Sequence, residues 1–373
     1  MFLDQFSSGT MKDSLGRLFF VIIGLIIFSL LALYSISDNP LSFNSSFSRQ
    51  CIFLIFSLLV FLIVKNIKIK TIHDNSTLIF IGAIIFCIIP FFLPRVEYTY
   101  RWIDFGLFYI QPSEYLKCAC VIVIAKYLSN NQLQVKSPSI ILVPGLLTLI
   151  SALIVLNQPD LGTAVIICAP LIPMLLWAGV SSFVIFLMIA PVITILAASN
   201  IITFTIWAFI MFMIFITFEA GIITKSILYF ANIFTGLLTP FLWNNLAEYQ
   251  KERILTFFNP DIDPMGSAYH IIQSITAIGS GGFFGKGLGQ GSQTQLKFLP
   301  VQESDFILSV IAEELGFLGI FFVMILCFLL IKTLLDIAFR SSDYFASLTI
   351  IGLASILLSH IFINSAMTIG LMP

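Results

Sequence analysis

Residues 18–36 read LFFVIIGLIIFSLLALYSI, a run with no charged side chain. A helix of about 20 apolar residues crosses the hydrocarbon core of a bilayer. Only a helix lets a single segment satisfy its own backbone hydrogen bonds in lipid, and the run lacks the alternation of a barrel strand. No small-residue cleavage site ends the run, so it predicts a retained first membrane-spanning helix and not a signal peptide.

The rest of the chain has the same character. Of its 373 residues, 59% are hydrophobic and 10% are charged, whereas soluble domains are about 25% charged. Lipid must be the main solvent, and the net charge of −1 gives no indication of a nucleic-acid partner. We predict an all-α fold, a polytopic integral membrane helical bundle that forms a single domain over residues 1–373. The predicted transmembrane helices, about eleven in number, are 18–36, 51–67, 77–94, 112–129, 138–156, 162–179, 182–199, 201–221, 227–245, 305–333 and 343–370.

The distribution of Lys and Arg sets the predicted orientation. Placing the N-terminus in the cytoplasm gives that side the larger share of the Lys and Arg residues in short loops. Residues 95–111 and a long extracytoplasmic loop before the last two helices, about 246–304, then face outward. Segments within about 182–221 predict a helical hairpin with Asn200 at its tip, and a hairpin leaves the sidedness of the long loop unchanged.

The long loop concentrates charge in a chain that otherwise avoids it. It contains residues 258–274, FNPDIDPMGSAYHIIQS, with the two acids Asp261 and Asp263. Asp commonly initiates turns, especially before Pro, and that explanation covers both acids. A long, acid-bearing, glycine-rich loop is also where a membrane protein can place chemistry, which favours Asp263 as a functional residue.

Two shorter motifs place polar groups at predicted helix starts. In QPSEYLK, residues 111–117, Glu114 and Lys117 share a helix face at i,i+3. They form either a structural ion pair or part of a cavity wall whose cation meets an anionic group. In NQPDLGTA, residues 157–164, Asp160 is placed to N-cap the helix that follows.

The glycine-rich stretch GSGGFFGKGLGQG, residues 279–291, does not fit a phosphate-binding loop. Gly287 follows Lys286 where the Walker pattern needs Ser or Thr, so we predict flexible or close-packed backbone. Of the adjacent acids Glu313 and Glu314, at least one must face the protein interior, toward a basic partner. The histidines lack ligand-spaced partners. The six cysteines lie in or beside apolar runs and are predicted to be buried thiols, not zinc ligands or disulfide partners.

Several stretches, taken together and in order, resemble the SEDS family, and within it the RodA branch more than the FtsW branch. They are RWIDFGLFYIQPSEYLK, NQPDLGTA, YQKERILTFFNPDIDPMGSAYHIIQS, AIGSGGFFGKGLGQGSQTQLKFLP and DFILSVIAEELGFLG. The resemblance implies a peptidoglycan glycosyltransferase of the bacterial cytoplasmic (inner) membrane. Such an enzyme polymerises glycan strands in lateral cell-wall elongation and cell-shape maintenance.

The resemblance also implies a substrate, a partner and site residues. The substrate is lipid II, an undecaprenyl-pyrophosphate disaccharide-peptide, and the partner is a class B penicillin-binding protein that crosslinks the new strand. The family's essential acid falls in a D-P-x-G element and corresponds to Asp263, here the predicted general base of an inverting glycosyl transfer. Asp263 is also the candidate ligand if Mg²⁺ or Mn²⁺ takes part. The predicted substrate-binding residues are Arg101, Glu114, Lys117, Asp160, Lys286 and Gln295.

The chain departs from the family pattern in three places. The family's P-E-x-H-T-D-F is PVQESDF here, so Val301 and Glu303 replace an acid and a histidine. The hairpin, about 182–221, resembles an insertion. After TIGLMP, where this sequence ends, the family continues through a P-L-P-F-x-S-Y-G-G-S stretch and one more helix, which predicts a C-terminally truncated member.

Two other classes of function stay open. A lipid II flippase is one, but a transporter typically has binding groups near mid-membrane in paired repeat halves. Here the acids cluster at the outer face and no repeat is found, so a polymerase is favoured. A scaffold without polymerase activity, which only activates its penicillin-binding partner, is the other, because of the missing last helix.

Overall fold

The computed structural model describes residues 11–37, 39–42, 45–95, 99–106, 108–132, 139–217, 222–245, 251, 269–296 and 303–371. Within these ranges the helices, in chain order, are α1 (Met11–Ile36), α2 (Ser46–Lys65), α3 (Ile69–Ile88), α4 (Pro112–Asn130), α5 (Ser139–Leu156), α6 (Leu161–Cys168), α7 (Leu171–Trp177), α8 (Ser182–Ala197), α9 (Ile201–Thr217), α10 (Ile222–Asn244), α11 (Tyr269–Gly281), α12 (Ser292–Gln295), α13 (Ile307–Arg340) and α14 (Tyr344–Thr368). A 3₁₀ turn, Ile89–Phe92, extends α3, and two short strands, β1 (Ile103–Asp104) and β2 (Tyr109–Ile110), pair antiparallel.

The all-α fold is confirmed, because the described residues of the predicted membrane segments are mainly helical. The segment predicted at 162–179 consists of α6 and α7, which Pro170 separates because it has no backbone N–H to continue the helix. In the described part of the chain, six helical spans are long and apolar enough to cross a membrane: Asp13–Ile36, Ser46–Lys65, Ile69–Phe92, Ser139–Leu156, Ile307–Arg340 and Tyr344–Thr368. Shorter apolar helices accompany them, and the chain is a multi-pass membrane protein.

The chain divides into two compact units. The first consists of Met1–Ala178 together with Pro264–Pro373, and it contains α1–α7 and α11–α14. The second, Gly179–Asp263, contains α8–α10. The sequence-based expectation of a single domain stays a prediction.

In the first unit, α4 occupies a central place, packing against α3, α5 and α14. Leu116 and Ile124 on this helix are fully buried. By contrast, α2 has no buried residue, and Ile55 and Phe56 on it are more than half exposed. Large apolar side chains in such numbers are stable at a protein surface only when lipid covers them.

A kink in α13 is built around Gly316, whose backbone (φ 68°, ψ −163°) is almost exclusive to glycine. The kink frees backbone groups that the glycine-rich loop after α11 satisfies. Lys286 N donates to the Glu313 carbonyl at 3.0 Å, and Phe317 N donates to the Gly282 carbonyl at 2.9 Å. The expectation of close-packed loop backbone in this stretch is confirmed.

The second unit has a polar network of its own. Thr194 on α8 accepts a hydrogen bond from the Trp207 indole of α9 at 2.8 Å and lies 3.1 Å from Asn232 Oδ1 of α10. Both Thr194 and Asn232 are buried. The predicted hairpin corresponds to α8 and α9, and Asn200 caps the turn between them by accepting from Ile202 N at 2.9 Å.

Replacement of Gly316 by Ala is expected to destabilise the first unit. A Cβ at this position would collide with Gly285 N and the Phe283 carbonyl, and the backbone conformation alone costs about 1–3 kcal/mol for other residues. The measurement is the thermal midpoint of the detergent-solubilised protein. Gly82→Ala in α3 is the matched control, because nothing lies within 4 Å of its Cβ position. Equal midpoints for the two variants would contradict the assigned strain.

Candidate functional site

The N-terminal part of α4 carries a buried cation, Lys117. Gln111 is the N-cap residue and Pro112 occupies the first turn, where its missing N–H is not needed. The predicted i,i+3 pair is present, with Lys117 Nζ 2.8 Å from Glu114 Oε2. Lys117 is 2% exposed, and its ammonium also lies 2.7 Å from Nε2 of His360 on α14. A buried ammonium is stable only when such partners compensate for lost hydration.

A second cluster forms around Asp160 at the start of α6. Its Oδ1 accepts from Thr163 N at 3.1 Å, which confirms the predicted N-cap. Its Oδ2 accepts from Gln111 Nε2 at 3.0 Å and lies 3.9 Å from Arg101 Nε. Gln111 is also the N-cap residue of α4. Its hydrogen bond to Asp160 therefore joins this cluster to the helix that carries Lys117.

Arg101 is held by the turn before α6. It donates from Nε to the Gln158 carbonyl at 3.4 Å and also donates to the Pro159 carbonyl. A third of its side chain remains exposed, so the guanidinium keeps an open face. Gln158 itself is fully buried and donates to the Cys87 carbonyl at 2.7 Å.

Lys286 and Glu313 form a third cluster at the kink of α13. Lys286 Nζ is 2.8 Å from Glu313 Oε1 and donates to Ser292 Oγ at 2.8 Å. Glu313 is fully buried and also accepts from the backbone N–H groups of Gln293 and Thr294, both at 3.0 Å, so it caps α12. The prediction that an acid of the Glu pair faces inward toward a basic partner is confirmed, and the partner is Lys286.

Gln295 links α12 to α1 by donating from Nε2 to the Ser35 carbonyl at 2.8 Å. Beside it, Glu314 is 1% exposed, and its Oε1 has no hydrogen-bond partner among the described residues. Lys286 and Gln295 are therefore first of all contacts within the protein. Their predicted contacts to substrate stay predictions.

The predicted catalytic acid, Asp263, and its neighbour Asp261 lie outside the described residues. The helix that follows, α11, is described. On it, Ser274 Oγ lies 2.7 Å from Ser309 Oγ and donates to the Thr368 carbonyl at 2.6 Å, which joins α11 to α13 and α14. Buried hydroxyl contacts thus anchor α11 to α13 and α14.

Metal binding stays a prediction. Within the described ranges, no three or more His, Cys, Asp or Glu side chains come together as a metal site would require. The residue associated with Mg²⁺ or Mn²⁺ by the sequence, Asp263, is outside those ranges.

The sequence reasoning missed His360 and Gln111 as members of these clusters. His360 is a lone histidine in an apolar helix, 243 positions from Lys117, and no local spacing announces that contact. Gln111 stands directly before Pro112 in the QPSEYLK motif. Its position at the start of a helix was the sequence signal that its side chain could reach a neighbouring segment, here Asp160.

Known proteins are similar to this chain in the regions that contain these clusters. The family model described as cell cycle protein, which covers FtsW, RodA and SpoVE, matches residues 15–208 and 184–373. The chain belongs to the FtsW/RodA/SpoVE family. The expected SEDS membership is confirmed.

This FtsW/RodA/SpoVE protein is similar to proteins of known name over nearly its whole length. It is 29% identical to peptidoglycan glycosyltransferase MrdB of Escherichia coli K12 over 357 residues, covering 95% of this chain and 83% of the relative. It is 31% identical to stage V sporulation protein E of Bacillus subtilis over 378 residues, covering 98% and 90%. Its fold is similar to that of a chain in a solved structure. That structure is described as showing the structural coordination of polymerization and crosslinking by a peptidoglycan synthase complex. The TM-score is 0.70 at 20% identity, covering 95% of this chain and 87% of that chain.

Removal of Glu313 is expected to destabilise the protein more than removal of Lys286. Glu313→Ala leaves a cation and two backbone N–H groups without their acceptor, and breaking a buried pair costs about 3–5 kcal/mol. Lys286→Met costs less because Lys286 is partly exposed, and the acid it leaves keeps its backbone donors. Thermal unfolding of the purified variants measures both effects. Asp305→Asn, an exposed acid just before α13, is the control, and a Glu313→Ala midpoint equal to that control would contradict the capping role.

Proposed function

We propose that this protein is a peptidoglycan glycosyltransferase that polymerises glycan strands from lipid II in lateral cell-wall elongation and cell-shape maintenance. The observation that carries the proposal is the end-to-end similarity to peptidoglycan glycosyltransferase MrdB, which spans 95% of this chain. A multi-pass helical protein suits a substrate that stays in the bilayer by its undecaprenyl chain. The buried cation of α4 suits a substrate that carries a pyrophosphate.

The reaction joins two sugars at the expense of one pyrophosphate ester. A hydroxyl of the acceptor sugar attacks the anomeric carbon of the donor, the bond to the lipid pyrophosphate breaks, and the hydroxyl proton goes to a base. One displacement inverts the anomeric centre, so an α-linked donor gives a β1→4 link. The catalyst needs a carboxylate near the hydroxyl and positive charge near the leaving pyrophosphate.

Asp263 is the proposed general base, on the strength of its place in the D-P-x-G element. Arg101 and Lys117 are the proposed stabilisers of the leaving pyrophosphate. Glu114 orients Lys117, and Asp160 holds Arg101, at 2.8 Å and 3.9 Å respectively. Charges held in this way need little reorganisation during the reaction, which is the source of electrostatic catalysis.

Lys286 and Gln295 are proposed as further substrate contacts from the loop side. The Lys286 ammonium donates to the Glu313 carboxylate and to the Ser292 hydroxyl oxygen, and a lysine has a third N–H to offer. Mg²⁺ or Mn²⁺ would be held by Asp263 and would neutralise phosphate charge, since hard cations favour carboxylate and phosphate oxygens.

The proposed orientation puts the N-terminus in the cytoplasm and the loop 246–304 outside, where cell-wall precursors are joined. The proposed partner is a class B penicillin-binding protein that crosslinks the strand as it emerges. Similarity in fold to a chain from a peptidoglycan synthase complex that couples polymerization and crosslinking supports this pairing.

Asp263→Ala is expected to abolish strand synthesis from purified lipid II in detergent, because the attacking hydroxyl loses its base. General-base catalysis contributes about 100- to 10,000-fold. Glycan products are measured by gel separation of labelled strands. Asp261→Ala, two positions earlier in the same loop, is the matched control and keeps activity.

The same assay separates the alternatives. Polymer formed in detergent by the wild-type protein excludes a protein that only transports lipid II, since no membrane is present. A wild-type protein that binds a penicillin-binding protein but forms no polymer would be a scaffold and would contradict the proposal. Full turnover by Asp263→Ala would remove the base assignment alone.

Lys117→Met is expected to lower kcat by about 100-fold or more, the size of effect seen when one electrostatic donor is removed. Met keeps the length of the side chain and its packing, so the folded protein should persist. Lys126→Met is the control on the same helix, because Lys126 donates to the Asp74 carbonyl at the other end of α4. Unchanged kcat in Lys117→Met, with normal thermal stability, would exclude an electrostatic role for this lysine.

A further inference from the structure

His360 and Lys117 make a contact that fixes the state of both side chains. The two nitrogens, His360 Nε2 and Lys117 Nζ, are 2.7 Å apart. An ammonium has only donors, so the imidazole nitrogen facing it must carry a lone pair. With Lys117 protonated, this contact requires a neutral His360 that carries its proton on Nδ1.

Glu114 is the second acceptor of the same ammonium. Its carboxylate lies 2.8 Å from Lys117 Nζ, at salt-bridge distance. Lys117 and Glu114 are also the charged groups that act on His360. The three side chains form a row in which a carboxylate and a neutral imidazole both accept from one ammonium.

These two contacts leave one N–H group of the Lys117 ammonium without an acceptor among the described residues. Among the described residues its partners are Glu114 on α4 and His360 on α14, so one of its three N–H groups is unspent. Ser113, one helical turn earlier, is fully buried, and its hydroxyl has no partner in the described part of the chain. Among the described residues, the remaining ammonium N–H and the Ser113 hydroxyl are therefore two donors, one helical turn apart, that have no acceptor.

We propose that His360 is a positioning residue of the polymerase. Its neutral imidazole accepts from Lys117 and, with Glu114, aims the remaining N–H of the ammonium at the departing pyrophosphate. This inference rests on the proposed function. It concerns a residue outside the motifs that carry the family resemblance, and it assigns to α14 a part in setting the geometry of the leaving-group site.

The contact makes the site sensitive to acid. Protonation turns the acceptor nitrogen of His360 into a donor and places a second cation next to the ammonium. Lys117 then loses one of its two anchors and is repelled from its position. Polymerisation supported by His360 is present while the imidazole is neutral and is lost as the pH falls and the ring gains its proton.

Substitutions at His360 separate positioning from packing. His360→Leu removes the acceptor and is expected to lower kcat by roughly 10- to 100-fold, the effect of a displaced catalytic group, with little change in KM. His360→Gln offers an amide oxygen that does not titrate, and it is expected to restore a large part of kcat. The ratio of His360→Gln to wild-type activity is expected to rise as the pH is lowered from about 8 to about 5. A flat ratio, or full activity in His360→Leu, would overturn the proposal.

Imidazole nitrogen NMR gives a test that needs no activity. The chain has three histidines, and His360→Gln identifies the signals of His360 by their absence. The expected spectrum at neutral pH shows a proton on Nδ1 and none on Nε2. An Nε2-protonated ring or an imidazolium at neutral pH would overturn the proposal even if the activity of the variants cannot be measured. A wild-type protein that forms no polymer but shows the expected tautomer would instead contradict the proposed function and leave the contact standing.

Discussion

Hydrocarbon offers no hydrogen-bond partner, so every polar group placed inside a membrane bundle must find one within the protein. This constraint accounts for the polar clusters of the first unit. The buried carboxylate of Glu313 is met by an ammonium and two backbone N–H groups. The buried ammonium of Lys117 is met by a carboxylate and an imidazole. Both clusters join segments far apart in the sequence, so the same contacts that stabilise the charges also select which helices become neighbours.

Local features of this fold could be predicted from the sequence, and pairings between distant segments could not. The i,i+3 pair of Glu114 and Lys117 and the N-cap at Asp160 depend only on helix periodicity and on which residue precedes the helix. The contact of His360 with Lys117 depends on the rotation of two helices about their axes. Apolar runs that are hydrophobic on all sides do not encode that rotation. The sequence predicted that a buried acid of the Glu pair needs a basic partner. That the partner of Glu313 is Lys286 could be seen only from the geometry of the loop.

The second unit is held together by uncharged polar contacts. Its three helices share a network in which Thr194 contacts Trp207 and Asn232. The two ranges matched by the family model, 15–208 and 184–373, overlap over 184–208, which falls on α8 and α9. The interpretation of the hairpin as an insertion stays a prediction.

Backbone hydrogen bonds join the glycine-rich loop to the kink of α13, and the loop both donates and accepts in them. Residues 282 and 283 accept from the backbone of 317 and 318, while residues 286 and 287 donate to 313 and 314. Each of these backbone hydrogen bonds requires a fixed number of residues between its donor and its acceptor. The length of this segment is therefore fixed by the four hydrogen bonds together. One inserted residue would shift the loop by about 3.3–3.6 Å and move Lys286 away from Glu313. The segment therefore tolerates substitution at its exposed side chains far better than insertion or deletion, because a change in length would separate the hydrogen-bonded backbone groups of the loop and the kink.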